Sequence, residues 1–106
     1  MTARCRLSNR RASETFSFTV AGLNYTATFS RFPDGLIGEL FLSDHKSNSS
    51  ADVAARDAAI AFSIAVQFGA DPETIRNALC RDAQGRASGP LGAALDLVAG
   101  NRGAVP

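Results

Sequence analysis

The chain has no tryptophan, one histidine and only two cysteines among its 106 residues. His45, Cys5 and Cys80 are three potential zinc ligands, whereas a structural zinc site normally takes four Cys or His side chains. The two cysteines are far apart in sequence and form no Cys-x-x-Cys pair. We therefore predict no metal and no cofactor, and we expect both thiols to be reduced in a cytoplasmic protein.

Apolar stretches are short, and none approaches the roughly 18 residues that a membrane-spanning helix needs. We therefore expect no membrane association. The first twelve residues carry four arginines with no apolar segment after them, so they do not resemble a secretory signal. Eleven basic and ten acidic residues give a net charge of +1, which leaves no overall field to attract nucleic acid.

Charge and hydropathy divide the chain into a basic arm at 1–13, one domain at 14–100 and a tail at 101–106. We expect the arm either to remain solvated or to dock on an acidic partner or on phosphates. The arm contains the four arginines Arg4, Arg6, Arg10 and Arg11.

Alternating apolar and polar residues predict three strands, at 15–21, 24–32 and 36–43. The short connections around Gly22 and Gly35 predict an antiparallel meander. One face of this sheet is aromatic and aliphatic, and the other is rich in threonine and serine. Because helices must cover the apolar face, the predicted fold class is α+β, with a long central helix on the sheet and two shorter C-terminal helices at 72–81 and 90–99.

The alanine-rich segment 51–68 predicts the long central helix, capped by Ser49 or Ser50 and ended at Gly69. On a helical projection its polar side chains form one thin stripe, and a stripe that thin indicates burial on more than one side. A three-stranded sheet covers one side, so we predict that the chain is a homo-oligomer, with a dimer as the first expectation. The stripe consists of Asp52, Arg56, Ser63 and Gln67.

Asp57 is an acidic side chain that departs from the pattern of the central helix. Asp57 projects into the apolar sector of the central helix, where an unpaired carboxylate is costly. We therefore expect Asp57 to pair with an arginine, to meet a backbone N–H or to contact a ligand.

His45 lies in a polar loop rich in serine, but catalysis of the triad type needs a positioned nucleophile and an orienting acid. We predict no catalytic residue, and a small enzyme centred on His45 and Asp57 remains an alternative.

The segment 85–92 is rich in glycine and precedes a predicted helix, whose free N–H groups can hold an anion. It lacks the lysine of a P-loop, and the chain lacks the βαβ unit of a dinucleotide fold. Arginine binds phosphate by directional charged hydrogen bonds. If the chain has an anion or ligand site, we expect it to contain Arg10, Arg11, Arg56, Ser88 and Gly89.

Nucleic-acid binding through the basic arm and the polar sheet face is a further alternative. The outward residues of the sheet are threonine and serine rather than the aromatic side chains on which bases stack, so this alternative is less favoured. A steep loss of binding between low and physiological salt would identify it.

Several segments occur in an order typical of a known domain: LSNRR at 7–11, TF at 15–16, YTAT at 25–28, DG at 34–35, GELFL at 38–42, Lys46 and SIAVQFG at 63–69. The sequence resembles the TSCPD domain, which lies near the C-terminal end of vitamin B12-dependent (class II) ribonucleotide reductases and also occurs as short free-standing proteins. The resemblance covers about residues 6 to 98, although the family's cysteine is absent beside Ser88.

The resemblance implies an accessory or regulatory module. In the reductases the catalytic barrel holds the radical cysteine, the redox cysteine pair and the cobalamin, and a barrel of that kind needs at least about 200 residues. We therefore expect a non-catalytic protein that self-associates and binds a protein or a nucleotide-like partner, with a ribonucleotide reductase as the partner that the resemblance favours.

Overall fold

The computed structural model describes residues 3–8 and 12–103, with the side chains of 101–103 left aside. The order of elements confirms the predicted α+β class. The elements are β1 (Ser13–Val20), β2 (Leu23–Arg31), β3 (Ile37–Asp44), α1 (Ser50–Gln67), α2 (Pro72–Ala78) and α3 (Pro90–Gly103).

The three strands form an antiparallel sheet in the order β1-β2-β3, as the short turns predict. The register aligns Phe16, Ala27 and Leu42 in one row across the face that packs on the helices. On the opposite face the row is Thr15, Thr28 and Phe41, and the hydroxyls of Thr15 and Thr28 are hydrogen-bonded at 3.0 Å. The outer face is therefore polar, as predicted, with Phe41 as its exposed aromatic side chain.

The β1–β2 hairpin turns through two residues with positive φ, Ala21 at 53° and Gly22 at 77°. Two left-handed residues in succession match the right-handed twist of a hairpin, which is why Asn-Gly is favoured in such turns. Glycine takes this conformation without strain, whereas the Cβ of alanine does not. Ala21 is therefore a strained position in an exposed turn.

Changing Ala21 to asparagine is expected to raise the free energy of unfolding by about 0.5–1 kcal/mol, because asparagine tolerates positive φ better than alanine. Equilibrium unfolding in urea measures this change. The control is Ala83→Asn, the same exchange at an exposed turn position without positive φ, which should give no gain. An equal gain in both variants would show that backbone strain at Ala21 is not the cause.

The hydrophobic core lies between the inner face of the sheet and the helices. Side chains of α1 and α3 that face the strands are small or apolar, so the elements approach closely. The buried set consists of Tyr25, Ala27, Phe29, Ile37, Leu40, Leu42, Ala55, Ala59, Phe62, Val66, Ala94, Leu95 and Val98.

Helix α1 lies against β3 and covers the edge of that strand that is not paired with β2. In an antiparallel ladder, alternate residues direct their backbone groups to opposite sides of the strand. Leu40 directs both groups toward α1, where Ser63 Oγ accepts its N–H at 2.9 Å and donates to its C=O at 3.0 Å. One serine hydroxyl thus replaces the two bonds that a fourth strand would make.

Backbone groups at both ends of the same β3 edge also have hydrogen-bond partners on α1. Gln67 Nε2 donates to the Gly38 carbonyl at 2.9 Å. At the other end Asp52 accepts the N–H of Asp44 at 2.9 Å and the N–H of Asn48 at 2.9 Å. These N–H groups of Asn48 and Asp44 lower the pKa of the Asp52 carboxyl from its ordinary value, because they stabilise its charged form. Polar side chains of α1 therefore close the edge of β3.

The polar stripe of α1 consequently faces inward. Asp52, Ser63 and Gln67 are 2%, 7% and 4% exposed, whereas Arg56 is exposed and lies 3.6 Å from Asp52 Oδ2. The polar stripe therefore does not face solvent in the single chain, and the large apolar side chains of the helix lie outward instead. The reason is that backbone groups at a sheet edge require hydrogen-bond partners, and the stripe supplies them.

The N-terminal arm packs on its own domain over the part that the structure describes. The Cys5 N–H donates to the Gln67 carbonyl at 2.6 Å, and Arg4 Nε donates to Gln67 Oε1 at 2.7 Å. Leu7 lies over Gly38, where an added Cβ would come within 3.0 Å of its side chain. Residues 3–8 thus run along the C-terminal end of α1.

The C-terminal helices are joined by an ion-pair network around Asp96. Arg81 donates to both carboxylate oxygens of Asp96 at 2.8 Å, and Arg76 Nε donates to Oδ1 at 2.7 Å. Helix α2 ends at Ala78, three residues before its predicted end, and Cys80 is exposed. Cys80 therefore lies beyond the end of the helix rather than within it.

Candidate functional site: the outer face of helix α1

The outer face of α1 carries large apolar side chains that no other part of the described chain covers. Val53, Ile60, Ile64 and Phe68 are all exposed, Ile60 by 52%. Their spacings of seven, four and four residues place them on one side of the helix. Exposed alanines at 54 and 61 fill the space around them. We call these six residues, together with Phe41, the apolar face.

Phe41 extends this surface from the helix onto the sheet. A groove of about 420 Å³ runs between β3 and α1, with Phe41 and Ile60 among its lining residues. Thr26, Thr28 and Arg56 form its polar side. The apolar surface is therefore continuous across the covered edge of β3.

The apolar face gathers most of the exposed large hydrophobic side chains. Five of the eight such residues in the described ranges belong to it, and the other three, Leu23, Leu36 and Leu97, lie in other elements or turns. Scattered apolar side chains are normal on protein surfaces, whereas a contiguous patch marks an interaction site. The clustering on α1 therefore identifies the candidate site.

Asp57 is the acidic residue of the same side of α1, and it is exposed. It makes no ion pair or hydrogen bond that the described residues provide. The expectation that Asp57 pairs with an arginine or meets a backbone N–H is therefore wrong, because its sector faces solvent and water solvates the carboxylate.

The residues predicted for an anion site do not share one cavity. Arg56 lines the groove beside Phe41, whereas Gly89 lines a separate hollow beside the first turn of α3. Ser88 is exposed, and its N–H donates to the Cys80 carbonyl at 3.0 Å. Arg10 and Arg11 lie outside the described residues.

His45 is exposed and contacts Thr26 through its Nε2 atom at 3.3 Å. No hydrogen bond joins His45 to Asp57 in the ranges that the structure covers. Within those ranges, no group of three His, Cys, Asp or Glu side chains is arranged to hold a metal ion, and no helix has the length and apolar character to cross a bilayer.

Sequence reasoning missed Phe41 and Tyr25 as site residues. The signal for Phe41 was present, since it lies between two core-facing leucines of β3, and alternation places it outward. The role of Tyr25, described below, depends on its neighbours in space. Comparisons with protein-family models, with curated proteins and with solved structures each gave no match.

Proposed function

We propose that this protein is a non-catalytic accessory or regulatory module that self-associates through the apolar face of α1. The observation that carries the proposal is the inversion of α1: its polar stripe serves the β3 edge, and its large apolar side chains point outward. Burying such a surface against a second apolar surface is favourable. A second copy of the chain is the occupant that we propose.

An antiparallel pairing of two α1 helices suits the order of side chains along the apolar face. A two-fold axis between Ile60 and Ala61 sets Ile60 against the partner's Ala61, and Val53 against the partner's Phe68. The first pair sets a large side chain against a small one, as close packing requires, and the second brings two large apolar side chains together. The two copies of a two-fold interface present the same surface to each other, so one apolar face is sufficient.

Charge also favours the antiparallel arrangement. A parallel pair would bring two Asp57 carboxylates together, which repel each other. In the antiparallel pair Asp57 lies toward the C-terminal half of the partner helix. There it lies opposite the partner's Ile64, about two helical turns from the other Asp57, so the two carboxylates are kept apart.

We expect the wild-type protein to sediment as a dimer and Ile60→Asp to sediment as a monomer. The symmetric interface buries the new carboxylate twice, so we expect a dissociation constant raised by about 100-fold or more. Sedimentation velocity over a concentration series measures this, with circular dichroism as the test of folding.

The matched control is Leu23→Asp, which adds the same charge at an exposed leucine outside the apolar face and should leave the dimer intact. A wild-type protein that stays monomeric at the highest attainable concentration would overturn the proposal. So would equal dissociation by both variants.

The second part of the proposal is that the assembled module serves a ribonucleotide reductase, as a protein partner or through a nucleotide-like ligand. This part is supported by the TSCPD resemblance alone. Co-purification of a class II reductase with the tagged module would support it. Purification without a reductase, together with native mass spectra free of a nucleotide-like mass, would contradict it.

A further inference from the structure

A second site lies on the side of α1 away from the β3 edge. A hollow of about 290 Å³ opens between the N-terminal half of α1 and the segment that joins α2 to α3. Alanines of α1 form one wall, Leu79 and Leu91 contribute to the other, and Tyr25 of β2 also lines it. The volume lies just below the range for small-molecule sites, which begins at about 300 Å³, and therefore suits a small ligand.

Tyr25 gives this hollow its polar group. The residue is 4% exposed, and its ring stacks on Phe18 at a centroid distance of 5.7 Å. Its hydroxyl has no hydrogen-bond partner among the residues that the structure describes. Among those residues, every fully buried side-chain nitrogen or oxygen has a partner, so the hydroxyl must retain contact with open space. The hollow that Tyr25 lines is such a space.

The first turn of α3 adds two further donors. Leu91 and Gly92 line the hollow, and the first N–H groups of a helix have no intrahelical acceptor. The Gly89 carbonyl accepts the N–H of Ala93 at 3.1 Å, which marks the start of the helical bonds. The hollow is thus lined by Tyr25 and by two residues of the helix start, whose hydroxyl and N–H groups can donate to an acceptor.

The charges around the hollow select an uncharged ligand. No lysine or arginine lines it. Burial, and in second place the charge of Asp44, raise the pKa of Tyr25 above its ordinary value, so the phenol is a neutral donor. The same carboxylate of Asp44 repels an anion near the Tyr25 hydroxyl. A carbonyl oxygen meets the donors without carrying a charge.

We propose that the Tyr25 hollow binds a small, uncharged, mainly apolar molecule that presents a carbonyl oxygen to the Tyr25 hydroxyl. Its apolar body lies between the alanines of α1 and the leucines of the opposite wall. The hollow is formed within one chain, and Ala54 is the one residue that it shares with the apolar face. The inference therefore does not depend on self-association.

The test uses cyclohexanone as a neutral carbonyl probe in a titration followed by 1H–15N correlation NMR. We expect shifts of the amides of Leu91 and Gly92. We also expect weaker binding of cyclohexanecarboxylate, which carries a charge, and of methylcyclohexane, which has no acceptor. Tyr25→Phe keeps the ring and removes the hydroxyl, so we expect about tenfold weaker binding of cyclohexanone.

Two further variants separate the hollow from the rest of the molecule. Ala58→Leu fills the hollow and should abolish binding, whereas Ala70→Leu, the same change at an exposed position, should not affect it. The Ile60→Asp variant should bind cyclohexanone as the wild type does. Unchanged affinity in both Tyr25→Phe and Ala58→Leu, or tighter binding of the carboxylate than of the ketone, would overturn the proposal.

Discussion

Changing Ser63 to alanine is expected to lower the free energy of unfolding by about 2–3 kcal/mol, because it leaves two buried backbone groups without partners. Leu40 is 1% exposed, and its N–H and C=O are both bonded to the Ser63 hydroxyl. Alanine is too short to replace either bond, and removal of one oxygen atom opens little space for water. Urea unfolding monitored by circular dichroism measures the change.

Ser50→Ala is the matched control for this experiment. Ser50 lies on the same helix but is exposed and does not contact β3 through a side-chain hydrogen bond. Surface substitutions of this kind change stability by about 0.5 kcal/mol at most. Both variants are best compared in the Ile60→Asp background, so that association does not add to the measured stability. A loss of less than about 0.5 kcal/mol in the free energy of unfolding of Ser63→Ala would contradict the conclusion that Ser63 closes the edge of β3.

Acid is expected to destabilise the protein as the pH falls from about 4 to 2, with Asp96 as a main contributor. The hydrogen bonds from Arg81, together with those from Arg76, lower the pKa of the Asp96 carboxyl to about 2 against the opposing effect of burial. Because the folded pKa lies below the unfolded value of about 3.9, the stabilisation is present above pH 4. It is lost as the pH falls through the folded pKa. Partial exposure to solvent limits this contribution to about 1–2 kcal/mol.

Asp96→Asn should therefore make the free energy of unfolding less dependent on pH between about 4 and 2. Asp57→Asn is the matched control, since this exposed carboxylate has no ion pair in the described part of the chain. The Asp57 variant should retain the wild-type slope. Identical slopes for wild type and Asp96→Asn would show that the network around Asp96 does not stabilise the fold.

The local elements of the fold could be predicted from the sequence because their causes are local. Alternation gave the three strands within one or two residues, and of the two predicted caps of α1, Ser49 is the one observed, with its side-chain oxygen accepting a backbone N–H. Gly69, with φ at 106°, follows the end of α1 as predicted. These signals depend only on residues that are close together in the sequence, so they can be predicted without the fold.

The orientation of α1 could not be predicted in the same way. A helical projection ranks side chains by polarity and assigns the polar stripe to solvent. The stripe is instead buried, because Ser63 and Gln67 bond to the backbone of β3. Whether a helix lies over the face or along the edge of a sheet depends on tertiary packing. The position of α1 along the sheet edge also explains why Asp57 is exposed and Ile60 points outward.

The candidate site was predicted only in outline. The large apolar circumference of α1 indicated self-association, but the residues that form the apolar face become evident only after the buried side is known. For Tyr25, alternation placed the ring correctly on the inner face. The lack of a partner for its hydroxyl depends on the arrangement of α1 and α3, which are distant from it in sequence.

The covered edge of β3 also bears on fibril growth. An unpaired strand edge is a template onto which further chains can add and polymerise. In this protein the backbone groups of the β3 edge are instead hydrogen-bonded to side chains of the same chain, namely Asp52, Ser63 and Gln67. Loosening α1 would release this edge, so conditions that detach the helix should promote cross-β aggregation, and substitutions that tighten the helix should delay it.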